Sequence, residues 1–198
     1  MDEPVPKLFI FDMGGVVSRN TNVSFPIAEH LGLTHERFTE LAREGFLKLI
    51  TGAISGPEFW ESFSNTSGLE VHEDLLARFF QPYPDAEVAE LVRRLRRNAR
   101  VVVGTNTVES HYRIHLERGD YAPFDAVYAS HRIGLAKPDP AFYNYILQQE
   151  GCAAREAVFT DDLPENVRAA AALGIRAFHF SAAAGLKKQI EEALRSGG

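Results

Sequence analysis

The stretch Leu8-Phe9-Ile10-Phe11-Asp12-Met13-Gly14-Gly15-Val16-Val17 decides how the rest of the chain reads. Four apolar residues run without a break into a carboxylate and a glycine pair. A short continuous apolar run suits a strand covered on both faces, as in a parallel sheet. Three later runs end in polar or acidic residues in the same manner. They are Val101 to Val103 before Gly104-Thr105-Asn106, Ala157 to Phe159 before Thr160-Asp161-Asp162, and Ile175 to Phe180. Phe124 to Ala129 is a fifth candidate strand. Helical patterns lie between the later runs: Val88, Leu91, Val92 and Leu95 recur at three and four, as do Val167, Ala170 and Ala171 before Gly174. Asp139-Pro140 reads as an amino cap followed by proline in the first turn. Alternating strands and helices predict an α/β fold with a parallel sheet.

One segment breaks this rhythm. Residues 17–98 show no clear strand. Phe38, Leu41, Ala42, Phe46 and Ile50 form a helical stripe, and Ser55-Gly56-Pro57-Glu58 is a capping-box pattern opening a helix through Phe59, Trp60 and Phe63. A mostly helical insert therefore follows the first strand.

Composition narrows the function classes. The chain has 21 Lys plus Arg against 27 Asp plus Glu, a formal net charge of -6. That balance argues against a bulk electrostatic grip on nucleic acid. The run of Arg93, Arg94, Arg96, Arg97 and Arg100 reads as a solvated helix face. Cys152 is a lone cysteine, which suits a reducing compartment. The acidic amino terminus is no signal peptide, and no apolar stretch approaches the roughly 20 residues of a membrane span. A cytoplasmic protein with no membrane partner is expected.

In an open parallel sheet, ligands collect beyond the carboxyl ends of the strands. Asp12, Thr105-Asn106 and Asp161-Asp162 stand at three such ends, and Lys137 precedes a helix at Pro138-Asp139-Pro140. Carboxylates from two strands make a hard oxygen site suited to Mg²⁺. The hydroxyl, the lysine and backbone N–H groups at strand-to-helix turns suit a phosphate. A carboxylate beside both can attack phosphorus.

With these four motifs in this order, the sequence resembles the haloacid dehalogenase superfamily of aspartate-nucleophile phosphohydrolases over nearly its whole length. The resemblance implies a Rossmann-like three-layer core of residues 1–16 and 99–198, with a small all-helical cap of residues 17–98 after the first strand. It implies that Asp12 is the nucleophile, that Thr105 binds the phosphoryl group and that Lys137 pairs with Asp12 and the phosphate. Met13, Gly14 and Asn106 would border that phosphate. Mg²⁺ would be held by Asp12, the Gly14 carbonyl and Asp162, with Asp161 and Asn166 close to the metal or its waters. Arg19, near the hinge into the cap, reaches either an anionic substrate or a salt-bridge partner between domains.

The expected function is Mg²⁺-dependent hydrolysis of a small phosphorylated metabolite by a monomer or weak dimer. A sugar phosphate is the first expectation, because the branch most resembled includes sugar-phosphate phosphatases. One position departs from the pattern. Phosphatases of this family usually carry a second aspartate where this chain has Gly14, and that group protonates the leaving oxygen. Losing such a group costs about 10²–10⁴ in rate. The alternative is therefore a non-catalytic binder of phosphorylated ligands. A 2-haloacid dehalogenase fits less well, since it needs no metal and Asp161-Asp162 suits one.

Overall fold

The computed structural model describes residues 4–195. In chain order the elements are β1 (Leu8–Phe11), β2 (Ser18–Arg19), α1 (Ser24–His30), α2 (His35–Ile50), α3 (Gly56–Ser67), α4 (Leu75–Phe79), β3 (Tyr83–Pro84), α5 (Ala86–Leu95), β4 (Arg100–Thr105), α6 (Glu109–Glu117), β5 (Ala126–Ala129), α7 (Ser130–Ile133), α8 (Pro140–Gln149), β6 (Ala157–Asp161), α9 (Pro164–Ala172), β7 (Arg176–His179) and α10 (Ala183–Arg195). All five expected strands form one parallel sheet in the order β5-β4-β1-β6-β7.

The sheet is buried on both faces, which explains its unbroken apolar runs. Phe9, Phe11, Val101 and Val103 point to one side and pack with Val88 and Val92 of α5 and Leu186 and Ile190 of α10. Leu8, Ile10 and Val102 alternate to the other side, against Phe142 and Ile146 of α8 and Ala170 of α9. A one-residue slip of β1 would exchange these two sets, so register is strongly specified. Asp139 caps α8 by accepting from the Ala141 N–H, with Pro140 in the first turn as expected.

The insert folds around its own apolar cluster, which runs from Val23 to Phe80 and includes Phe38, Phe59, Trp60 and Phe63. The expected capping box at Ser55 and Glu58 is present at the start of α3. Two details depart from the reading of residues 17–98. Helix α5 lies inside that range yet packs into the sheet cluster, because its Val88-Leu91-Val92-Leu95 stripe faces Val101 and Val103 rather than the cap. The range also contains a two-residue antiparallel ladder, Ser18↔Pro84 and Arg19↔Tyr83. Two residues are too few to show a period of two. This ladder is where the chain enters and leaves the cap.

The basic run is a solvated face, as read. Arg93, Arg94, Arg96 and Arg100 pair with Glu90, Glu191, Asp125 and Glu150. Among the described residues, no helix is long and apolar enough to cross a membrane.

Candidate active site

β1 is the central strand, so its carboxyl end faces the middle of the sheet edge. Phe11 pairs with Val103 on one side and Thr160 on the other. The next residue, Asp12, therefore leaves the sheet between Gly104 and Asp161. Gly104 lets β4 pack tightly there: a Cβ would lie 2.9 Å from Ile10 Cγ2 and 3.0 Å from Ile146 Cδ1.

Lys137 reaches in from the loop before α8. Its Nζ lies 2.7 Å from Asp12 Oδ1 and 2.6 Å from Asp161 Oδ2. All three side chains are buried. Asp161 is held further by the Asn166 amide, 3.0 Å from Oδ1, and by the Leu163 N–H at 2.8 Å. Asn166 is in turn fixed through its carbonyl, which accepts from the Tyr143 hydroxyl at 2.9 Å. The structure thus gives Asn166 a positioning role, its amide N–H₂ turned to Asp161.

Asp162, half-buried, completes the cluster. One carboxylate oxygen from each of Asp12, Asp161 and Asp162 lies within 4.8 Å of the others. Three carboxylates face one buried ammonium, so negative charge is in excess. Burial first, and then the nearby charge of Asp161, raises the Asp12 carboxyl to about 7 despite the opposing pull of Lys137. Burial and Asp161 also raise Asp162. Burial opposes the charge on Lys137, but Asp12 and Asp161 override it and keep the ammonium protonated. An under-compensated set of hard oxygen donors fits a divalent cation of the Mg²⁺ class.

This charge balance sets a pH dependence. The folded-state value of Asp12 lies above its ordinary 3.8. Its contribution to stability is full below that ordinary value and is lost as pH rises through about 7. The metal-free melting temperature should therefore fall between about pH 4 and 7 and level off above. Mg²⁺ affinity should rise over the same window, because the ion displaces the Asp12 proton. Calorimetric melting with and without Mg²⁺ checks both; a metal-free melting temperature that climbs with pH would contradict this reading.

Two glycines follow Asp12 closely and differ sharply. Gly15 has φ +78°, and a Cβ there would fall 2.2 Å from Asp162 Oδ2 and 2.6 Å from its Cγ. Gly15→Ala should push Asp162 aside and weaken Mg²⁺ binding by about 10–100-fold, the cost seen when the supports of metal ligands are removed. At Gly14 the same atom meets only the movable Thr21 hydroxyl, at 3.2 Å. Gly14→Ala should leave Mg²⁺ affinity nearly unchanged. Titration calorimetry distinguishes the two variants.

Other expected site residues take different roles. Thr105 is buried at the end of β4. The Asn106 amide donates to the Lys137 carbonyl and accepts from the Lys137 N–H, both at 2.8 Å. It anchors the lysine loop through both ends of its amide. Arg19 takes the salt-bridge alternative in this structure. Its Nε and Nη2 donate to Asp85 Oδ2 at 3.1 and 2.8 Å, and Nη1 to the Gly15 carbonyl at 2.7 Å. The guanidinium ties the entry to the cap to Asp85 and the Gly15 carbonyl.

Above the carboxylates lies a cavity of about 650 Å³, floored by Met13, Gly14, Thr105 and Asn106 and roofed by α1 to α4. A second cleft, of about 760 Å³, is lined by Leu49, Gly52 and Arg113 and touches none of Met13, Gly14, Thr105 and Asn106, the residues that border Asp12 in the first. Sequence reading missed Thr21 and Tyr121, which line the first cavity. Neither belongs to a recurring motif, and each reaches the site only through folding.

The profile of haloacid dehalogenase-like hydrolases matches residues 6–174. The chain is 30% identical over 181 residues to the sesquiterpene phosphatase astK of Aspergillus oryzae, covering 88% of this chain and 90% of that one. A predicted HAD-like family hydrolase from Porphyromonas gingivalis superimposes with a TM-score of 0.82 at 24% identity, covering 96% of this chain and 98% of that one. A HAD family enzyme from Bacteroides thetaiotaomicron, solved with magnesium and inorganic phosphate, superimposes with a TM-score of 0.73 at 23% identity, over 89% and 95% of the two chains.

Proposed function

The chain belongs to the haloacid dehalogenase-like hydrolases, and from that premise we propose that it is a Mg²⁺-dependent phosphomonoesterase with Asp12 as its nucleophile. The observation that carries this reading is the buried Asp12–Lys137–Asp161 array with Asp162 beside it. A non-catalytic binder needs no buried carboxylate held against an ammonium beside a cavity. The astK relative, a phosphatase by name over 90% of its length, supports the same class of reaction.

Asp12, Asp162 and the Gly14 carbonyl would hold Mg²⁺, with Asp161 and Asn166 behind them. The ion, when bound, offsets negative charge on the phosphoryl oxygens. The rest of the chemistry belongs to the chain's own groups. Lys137 and the Thr105 hydroxyl face the phosphoryl group, and Lys137 keeps the Asp12 oxygen oriented for in-line attack. A bond forms between Asp12 Oδ and phosphorus as the ester P–O bond breaks, and the departing alcohol oxygen takes a proton from water. Water then cleaves the aspartyl phosphate, restoring the carboxylate and releasing inorganic phosphate. The cap excludes bulk solvent during transfer.

The test is a phosphate-release screen over small phosphomonoesters with Mg²⁺ and with EDTA. Release that requires the metal is the expected result. Mg²⁺ binding with no release from any ester would instead favour the non-catalytic binder.

A further inference from the structure

The cavity above Asp12 has an apolar wall. Ile27, Phe38, Ala42, Phe59, Leu76 and Phe80 line it, and all six are buried. Apolar side chains continue to its mouth, where Phe46 is 39%, Leu47 59% and Leu163 47% exposed. Arg43 and Thr21 also line it, while several other polar neighbours are already occupied. Ser24 Oγ donates to Asn22 Oδ1 and lies 2.9 Å from His35 Nε2, and the Thr39 hydroxyl donates to the His35 carbonyl. His111 lies flat on Phe80 with centroids 3.7 Å apart, and its Nε2 lies 3.1 Å from the Leu76 carbonyl. Burial holds His111 near 4, so it presents an uncharged ring.

Among the buried polar side-chain atoms of its lining, one has no partner. The Tyr121 hydroxyl is buried with no hydrogen-bond partner, and its ring is only 7% exposed. Tyr121 lines the same cavity and feels the charge of Asp12. An unpaired buried hydroxyl is costly and calls for a ligand. A sugar would bring many hydroxyls to a mostly apolar wall, where they would lose their water.

We propose that the substrate is the monophosphate ester of an apolar alcohol of roughly ten carbons or more, its chain filling this cavity and its phosphoryl end meeting the Tyr121 hydroxyl. This rests on the phosphatase reading above and departs from the sugar-phosphate expectation.

The experiment measures kcat/KM with Mg²⁺ for methyl, butyl, octyl and decyl monophosphate and for glucose 6-phosphate, all kept monomeric. In parallel, calorimetry measures binding of methyl-, butyl- and decylphosphonate, which cannot be hydrolysed. Both series should improve about fourfold per added methylene, equivalent to about 0.8 kcal/mol per buried methylene, until the cavity is full. Glucose 6-phosphate should fall at least about 100-fold below decyl phosphate on that scale. Ala42→Trp, which fills part of the cavity, should flatten the series. Tyr121→Phe should lower kcat/KM for decyl phosphate by up to about tenfold without lowering the melting temperature, because it removes an unpaired hydroxyl. Turnover with no chain-length dependence, or with glucose 6-phosphate preferred, would overturn the proposal and leave the phosphatase reading standing. Chain-length-dependent phosphonate binding without any turnover would do the reverse. Loss of both would sink both.

Discussion

Asp12→Asn is expected to lower phosphate release by about 10⁴-fold or more while the protein stays folded. The side chain is the attacking atom in the proposed reaction, and removing the group that forms the covalent bond leaves only binding and electrostatics to accelerate it. Asn keeps an oxygen that can accept from Lys137 Nζ, now 2.7 Å from the Asp12 carboxylate. It also removes one of three carboxylates that crowd one ammonium. The melting temperature of the metal-free variant should therefore match or exceed the parent's. Loss of activity with a preserved melting transition assigns the defect to chemistry. Activity within about tenfold of the parent would remove Asp12 from the nucleophile's place.

Lys137→Met should have the largest effect on stability. The ammonium sits between Asp12 and Asp161 at 2.7 and 2.6 Å. Its side chain is 1% exposed and that of Asp161 is 0%. Without it, two buried carboxylates face each other unpaired. Removing one partner of a buried pair costs about 3–5 kcal/mol. For a chain of this length that lowers the melting temperature by roughly 6–20 °C. The loss should shrink on acidification, because protonation neutralises the stranded carboxylates, and should shrink again with Mg²⁺. Thermal melts at pH 5 and 8, with and without Mg²⁺, check each statement. A variant as stable as the parent at pH 8 in EDTA would show that the ion pair contributes little.

The sheet and its chemistry were legible for one shared reason. Strands covered on both faces read as unbroken apolar runs, and each run stops where the chain leaves the core. Asp12, Thr105 and Asp161 stand at those stops, so the same boundary marks element and site. Asn106 and Arg19 were less legible. A side chain near a catalytic motif looks the same in sequence whether it meets ligand or backbone; only folding brings Lys137 to Asn106 and Asp85 to Arg19. The end of the cap was obscured because α5 carries the same apolar spacing as the cap helices, and spacing does not say which layer a helix meets. The cavity was hidden for a related reason. Phe59 reads as cap core and is cap core, yet it also lines the space over Asp12. Gly14 reads as a missing acid, and Thr21 fills part of the room it leaves.

The central claim is that phosphate passes through Asp12 itself. The most direct measurement is rapid acid quench of the Mg²⁺-loaded protein during turnover of an aryl phosphate, followed by peptide mass analysis. The account predicts one added phosphoryl group on the peptide bearing Asp12, absent in EDTA and absent from Asp12→Asn. Steady phosphate release with that peptide unmodified at every quench time, or a phosphoryl group on another residue, would contradict it.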